Sequence, residues 1–147
     1  MKSFKLLIPV VLSLLLAGQA FGQVLSITER TVNLHSSPSL TGSLVVLQVP
    51  LYYPLQVEDE RGNFFLVRDY RGRDAWVEKS VVGPESGIIV KADAANVRSG
   101  PGKDHEVIFK ARQGVTFLVL KNQQDWLYVE HESGRKGWIH KSLTWGL

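Results

Sequence analysis

Two stretches of this sequence repeat one another, and this duplication limits the fold more than any other feature. Residues 31–47 (TVNLHSSPSLTGSLVVL) match 94–110 (AANVRSGPGKDHEVIFK) at an offset of 63, with Leu44-Val45 set against Val107-Ile108. Residues 64–82 match 126–144 at an offset of 62, so one residue is expected to be lost in the turn between the two stretches. A module of about 60 residues is therefore present twice. Two copies are too few for a solenoid, and each is expected to have its own small core.

Hydrophobic and polar residues alternate within each copy, which is the period of a β-strand. Short segments rich in aromatic and β-branched residues are separated by turn sequences such as DERGN (59–63) and HESGR (131–135). No segment after residue 22 has the 3.6-residue period of an amphipathic helix. The predicted fold class is all-β, with two small antiparallel barrels of about five short strands each.

The first 22 residues have the pattern of a secretory signal peptide. Lys2 and Lys5 precede an apolar run over 6–16, which is too short to span a bilayer, and small residues follow. Cleavage is expected after Gly22, with Ala20 as the alternative. Position 19 is Gln where a lipoprotein signal needs Cys, so we expect an exported protein, periplasmic or extracellular, without a membrane anchor in the mature chain.

Composition argues against several classes of function. Without the two lysines of the leader, 15 Lys+Arg stand against 14 Asp+Glu, which leaves no basic footprint for nucleic acid. Residues 87–147 carry nine basic and six acidic residues, whereas 23–86 carry six and eight, so only the second copy is cationic. The chain has no Cys, and its four histidines lack metal-ligand spacing. We expect no metal, no cofactor and no catalysis.

The second copy resembles the bacterial SH3 (SH3b) domain family. The segments NVRSGPGKDHEVI, GVTFLVL, WLYVE and GRKGWIHKSLT occur in the order and at the spacings of that family. The first copy departs from the pattern, with Phe64 in place of Trp and DAWV in place of Gly-Trp. The resemblance implies two SH3-like, partly open β-barrels in tandem behind the signal peptide (1–22). The expected boundaries are 25–82 for domain 1, 83–87 for a linker and 88–145 for domain 2.

Trp126 and Tyr128 are the aromatic residues that most favour binding. They are two positions apart on one predicted strand, so both project from the same face. They form either part of the core or an apolar platform with polar tips, which is the kind of surface that peptide and sugar grooves use. The first copy has Phe64 and Leu66 at these places, without the polar atoms.

The other aromatic residues favour packing. Trp76 and Trp138 are expected to lie in the core or at the barrel end, because Trp is usually well buried. Tyr52-Tyr53 has no aromatic counterpart in the second copy. This pair either forms a separate exposed patch or packs beside the turn.

The stretch NVRSGPGKDH (96–105) lacks the Lys-Ser/Thr and the helix that a phosphate loop needs. The first copy makes the equivalent turn with no glycine before Gly42, so Asn, Ser and Pro are the turn-forming residues. The second copy has a leaner loop that would let a ligand approach, and its basic side chains suit carboxylates. The candidate ligand-binding residues are Asn96, Arg98, Ser99, Gly100, Pro101, Gly102, Lys103, Arg112, Trp126, Tyr128 and Trp138.

These features favour a non-catalytic binding module of the bacterial envelope. The resemblance implies cell-wall or ligand binding, and the expected partner is peptidoglycan, through its peptide stems or bridges. The alternative is an envelope protein–protein adaptor that binds no peptidoglycan, for example by strand addition at a sheet edge.

Overall fold

The computed structural model describes residues 21–147, which form two antiparallel β-sheets of seven strands each. The all-β fold class with two SH3-like domains is therefore confirmed. All but the last two residues of the predicted signal peptide lie outside the described residues. Across residues 21–147, none of the helical segments has the length and apolar character that crossing a membrane requires.

The first sheet belongs to module one (residues 24–83) and the second to module two (residues 87–145). In module one the strand order is β3-β2-β6-β5-β4-β1-β7, and in module two it is β10-β9-β13-β12-β11-β8-β14. The strands of module one are β1 (Val24–Ile27), β2 (Thr31–His35), β3 (Val45–Pro50), β4 (Pro54–Arg61), β5 (Phe64–Arg68), β6 (Asp74–Glu78) and β7 (Val82–Gly83). Those of module two are β8 (Gly87–Val90), β9 (Ala94–Arg98), β10 (Val107–Arg112), β11 (Thr116–Gln123), β12 (Trp126–Glu130), β13 (Lys136–His140) and β14 (Thr144–Trp145).

Each module has two more strands than the alternation predicts. The additional strands are the first and last of each module, and one 3₁₀ turn precedes the last strand (Lys79–Val81 and Lys141–Leu143). All four residues of β8 are buried, and three of the four in β1 are. A strand that is covered on both faces does not alternate between polar and apolar residues, so its sequence lacks the signal used to find the others.

The strand register shows where module one has the one residue that module two lacks, and this place differs from the one that the sequence match indicates. His35 pairs with Val45 in module one, and Arg98 pairs with Val107 in module two. Val107 is therefore the structural counterpart of Val45, not of Leu44, and the sequence match at this point is wrong by one residue. The extra residue of module one lies in the loop between β2 and β3. Both hairpins have a register shift at the same place, so the difference in length lies in the loop alone and the strands that follow keep their pairing.

The two hydrophobic cores meet at a junction formed by β1 and β8. Ile88 and Val90 of β8 pack in the core of module two, whereas Ile89 points the other way and packs in the core of module one. The N–H of Gly87 donates a hydrogen bond of 2.9 Å to the Oγ of Ser26 across the same junction. Each module has its own core cluster, as expected, but the second module contributes a fully buried side chain to the first.

Candidate ligand-binding cleft

The aromatic residues of β12 and β13 lie on the outer face of the sheet. Leu127, Val129 and Ile139 are fully buried, and the residues that alternate with them are half-buried on the opposite face. Trp138 is one of these outer-face residues, and Trp76 occupies the same position in module one. Of the two places expected for these tryptophans, the core is wrong, because the two-residue period gives the inner face to the branched residue that follows each of them, and the barrel end stays a prediction.

Two aromatic pairs cover this outer face of module two. The rings of Tyr128 and Trp138 are 5.1 Å apart at 36°, and those of Trp126 and His140 are 5.1 Å apart and nearly perpendicular. The Nζ of Lys121 lies 5.6 Å from the centroid of the Tyr128 ring. Pairs at this spacing hold one another in place, so the face presents fixed rings rather than mobile side chains.

Trp126 and His140 line a cleft of about 400 Å³ together with residues of β9 and β10 and with Lys103 of the loop between these strands. Among the residues that the structure describes, none of those lining the cleft is acidic, and three are Lys or Arg. The lining residues are Ala94, Asn96, Arg98, Lys103, Lys110, Trp126, His140 and Leu143. The cleft therefore combines an indole surface with positive charge.

Four of the predicted site residues meet in this cleft: Asn96, Arg98, Lys103 and Trp126. Tyr128 and Trp138 lie beside it on the same face but do not line it, and Arg112 lines a different pocket. Sequence reasoning missed Lys110 and His140. The pairing of Trp126 with His140 across the β12–β13 hairpin could have identified the histidine, because the turn sequence sets the hairpin register.

The loop beside the cleft is held together by its own arginine. Nη1 of Arg98 donates hydrogen bonds of 3.0 Å to the carbonyl oxygens of both Lys103 and His105. Gly100 is buried under the His105 ring, and a Cβ added to this glycine would lie 2.5 Å from ring atoms. Gly100 thus makes room for a histidine of the same loop. This packing does not favour the expectation that Gly100 opens space for a ligand. Arg98 fixes the shape of the loop at the rim of the cleft and also contributes positive charge to the cleft.

The remaining loop residues of the predicted site support the loop from within. The N–H of Ser99 donates to the carbonyl of Glu106 at 2.9 Å, and the N–H of Gly102 donates to the carbonyl of Gly100 at 3.0 Å. Pro101 lies between the two glycines and is half-buried. None of these three residues lines the cleft. They fix the position of Lys103, which does.

Module one has a cleft at the equivalent place, with the opposite charge. Its volume is about 320 Å³, and Asn33 occupies the position that Asn96 has in module two. Two carboxylates line it, those of Glu29 and Glu78, and Leu40 is the residue from the β2–β3 loop. Phe64, which takes the place of Trp126, is 8% exposed and does not line the cleft. The two copies therefore present different chemistry from the same architecture.

Two of the three histidines of module two, His131 and His140, cap turns. Nδ1 of His140 accepts the N–H of Ser142 at 3.2 Å and lies 2.7 Å from its Oγ. His131 makes the same pair of contacts with Ser133, two residues on. Repetition of this local motif indicates turn capping, and no hydrogen bond or ion pair joins either ring to a carboxylate in the described part of the chain. Residues 21–147 also contain no group of three or more His, Asp or Glu side chains that could hold a metal ion.

Comparison with known proteins places this architecture in a family. The model of the family "Bacterial SH3 domain" matches residues 28–84 and again 91–146. Over 60 residues the chain is 33% identical to the Bacillus subtilis (strain 168) protein named "Putative N-acetylmuramoyl-L-alanine amidase YrvJ", covering 41% of this chain and 12% of that protein.

Two solved structures are similar to this chain at low scores. An NlpC/P60 family protein from Bacillus cereus ATCC 10987 is 14% identical with a TM-score of 0.39, and covers 83% of this chain and 55% of its own. NlpC2 from Trichomonas vaginalis is 16% identical with a TM-score of 0.37, and the match covers 84% and 48%. Scores this low carry no argument about function. The family model, matched once by each module, shows that this chain belongs to the bacterial SH3 domain family.

Proposed function

We propose that this protein is an exported, non-catalytic binding protein of the bacterial cell wall, and that the cleft of module two holds a peptidoglycan peptide. The single observation that carries the proposal is the cleft itself, which is lined by an indole, two lysines and an arginine and by no carboxylate. Membership of the bacterial SH3 family and the amidase name of one relative favour a cell-wall ligand over other anionic peptides.

The chemistry of the cleft suits a peptide that carries a carboxylate. The ammonium groups of Lys103 and Lys110 attract the carboxylate, and the indole of Trp126 offers a flat apolar surface to the adjoining aliphatic part. Arg98 already donates two hydrogen bonds within the protein, so its loop does not have to be ordered when the ligand binds. A site that is rigid before binding loses less conformational entropy.

Module one is not expected to bind the same ligand. Glu29 and Glu78 would repel a carboxylate, and Leu40 lies near the position that corresponds to Lys103 of module two. One peptide per chain is therefore expected, without the gain in avidity that two equal sites would provide.

Co-sedimentation with insoluble peptidoglycan sacculi stripped of attached polymers tests the proposal. Trp126→Ala and the double variant Lys103→Ala/Lys110→Ala should each weaken retention roughly tenfold, a loss of about 1.4 kcal/mol. Lys121→Ala is the matched control, because it removes a cation from the same outer face without touching the cleft. Thermal unfolding of every variant checks that the fold is unchanged.

Three outcomes would contradict the proposal. Equal retention of the wild type and both cleft variants would rule out the site, and an equal loss in Lys121→Ala would reduce the effect to general surface charge. Absence of retention for the wild type would rule out the ligand. A specific envelope protein recovered by pull-down in that case would favour the adaptor function instead.

A further inference from the structure

A second pocket on module two, separate from the cleft, has a volume of about 530 Å³. Its accessible apolar surface comes from the half-buried Phe109 and Val115, and the ring of the fully buried Phe117 lies 6.3 Å from that of Phe109. Trp126 is not among the lining residues, and Lys110 is the only residue that the two sites share. The equivalent region of module one indicates why this surface is open in module two.

In module one, a tyrosine side chain fills the space that is equivalent to this pocket. Tyr53 precedes β4 as Val115 precedes β11, and its ring is 5% exposed. The Tyr53 hydroxyl donates to Oδ2 of Asp69 at 3.1 Å, and Asp69 in turn pairs with Arg73 at 2.7 Å. The ring and the ion pair together close this end of module one.

Module two has neither the tyrosine ring nor the ion pair at the equivalent turn. His131 stands in the place of Asp69, since its N–H bonds the carbonyl of Arg135 as that of Asp69 bonds the carbonyl of Arg73. Arg135 therefore has no carboxylate at the equivalent position, and its guanidinium lies 4.1 Å from the centroid of the Phe109 ring. Beside the shorter side chain of Val115 the ring of Phe109 is half-buried, whereas Phe117 is fully buried and its ring packs against that of His131 at 5.8 Å.

The rim of the open pocket is cationic. Lys110, Arg112 and Arg135 line it, and within the described chain no ion pair involves any of the three. No carboxylate lines the pocket either. An apolar floor under unpaired guanidinium groups complements an occupant that is apolar at one end and anionic at the other.

The surroundings of the pocket fit the end of a peptide. Residues 109–112 belong to β10, which is the edge strand of its sheet, so an extended chain can approach along it. A terminal residue carries an apolar side chain and a carboxylate on the same Cα, which matches a pocket lined by both apolar side chains and guanidinium groups.

We infer that this pocket binds the C-terminal residue of a partner peptide, with its apolar side chain against Phe109 and Val115 and its carboxylate paired with Arg112 and Arg135. The site is independent of the proposed cleft function. Either one can fail without the other.

Fluorescence polarisation with the purified protein tests the inference. The probe is a fluorescein-labelled peptide Gly-Ser-Gly-Ser-Leu with a free carboxylate, and its matched controls carry a terminal amide or end in Gly. The free acid ending in Leu should bind roughly tenfold more tightly than either control. Val115→Tyr places in module two the ring that closes module one, and should abolish binding of the probe. Its retention on sacculi should remain unchanged.

Arg135→Gln provides a second variant that leaves the pocket floor intact. It should remove most of the preference for the acid over the amide, because the guanidinium is exchanged for a neutral group. The inference is overturned if acid and amide bind equally, if Leu and Gly termini bind equally, if Val115→Tyr binds as the wild type does, or if no probe binds. Equal competition by free 4-methylpentanoate would overturn the assignment to a chain terminus, since that acid has the side chain and carboxylate alone.

Discussion

Asp69 in module one offers the most informative test of how these small barrels are stabilised. The residue is 3% exposed, yet its carboxylate is fully paired. Oδ1 accepts the backbone N–H groups of Arg71 and Arg73, both at 2.9 Å. Oδ2 accepts the Tyr53 hydroxyl at 3.1 Å and the Arg73 guanidinium at 2.7 and 2.8 Å. We expect Asp69→Asn to destabilise module one, because the change removes the charge and turns one acceptor into a donor.

The magnitude follows from these contacts. Asn can keep the two backbone hydrogen bonds at Oδ1, but its NH₂ group faces the Tyr53 hydroxyl and the cationic Arg73. Losing a charged hydrogen bond inside a buried site costs about 1.5–3 kcal/mol. Because the Arg73 side chain is 43% exposed, solvent compensates part of its loss. A total of about 2–4 kcal/mol is expected, equivalent to a drop in Tm of roughly 8–30 °C for a unit this small.

The dependence on pH supplies a second readout. Burial alone would raise the pKa of Asp69, but hydrogen bonds from the Arg73 side chain and from the backbone of Arg73 and Arg71 outweigh it and lower the pKa. A carboxyl with a lowered folded-state pKa stabilises the fold above its unfolded pKa, and this contribution is lost as the pH falls through the folded value. The difference between wild type and Asp69→Asn should therefore be full at neutral pH and should shrink below about pH 4.

Urea unfolding between pH 2 and 7 measures both effects. Asp74→Asn is the matched control, because Asp74 pairs with Arg68 at the surface and both side chains are 47% exposed. The Tm of the Asp74→Asn variant should differ little from that of the wild type. A loss below about 1 kcal/mol in Asp69→Asn, or a loss that stays constant down to pH 2, would refute the reasoning that a paired, buried carboxylate holds this turn.

Three further predictions concern the junction between the modules. Gly87→Ala would press a Cβ against the carbonyl oxygen of Tyr52 and should cost about 1–3 kcal/mol in urea unfolding; full stability would mean that the backbones are not tightly apposed there. Ile89→Ala removes a fully buried side chain that module two inserts into the core of module one. It should cost about 2–5 kcal/mol and lower the calorimetric transition of module one, which an effect on module two alone would contradict. Thr116→Val deletes the 2.7 Å hydrogen bond to the carbonyl of Leu51 and should cost about 1 kcal/mol; an unchanged urea midpoint would show that water replaces the bond.

The sequence was sufficient for the architecture because its signals are local. Alternation of hydrophobic residues and turn sequences defined most of the strands, and the duplication defined the number of modules. Trp126 and Tyr128 were expected on one face, and both lie on the outer face of β12. The two-residue period of a strand also predicts the outer face for Trp138, whereas the usual burial of tryptophan predicts the core.

The sites depended on contacts between segments that are distant in the sequence. Lys110 and His140 reach the cleft from β10 and β13, and their meeting requires the register of three neighbouring strands. The role of Arg98 as a loop staple likewise depends on where the carbonyls of its loop point. The hairpin register could have identified His140 as the partner of Trp126, but the convergence of Lys110 and of the Arg98 loop on the cleft has no local pattern and could not be deduced from residue types and spacing.

By itself, then, the sequence determined an all-β chain with two copies of one module and a cationic second copy, because periodicity, turn chemistry and charge are properties of neighbouring residues. The tertiary structure alone decided which charges face each cleft, that Ile89 joins the core of the other module, and that Tyr53 closes in module one what Val115 leaves open in module two. The physical reason is that burial and electrostatic complementarity arise only when separate strands pack together, and a single substitution at such a contact changes the site without changing the pattern that specifies the fold.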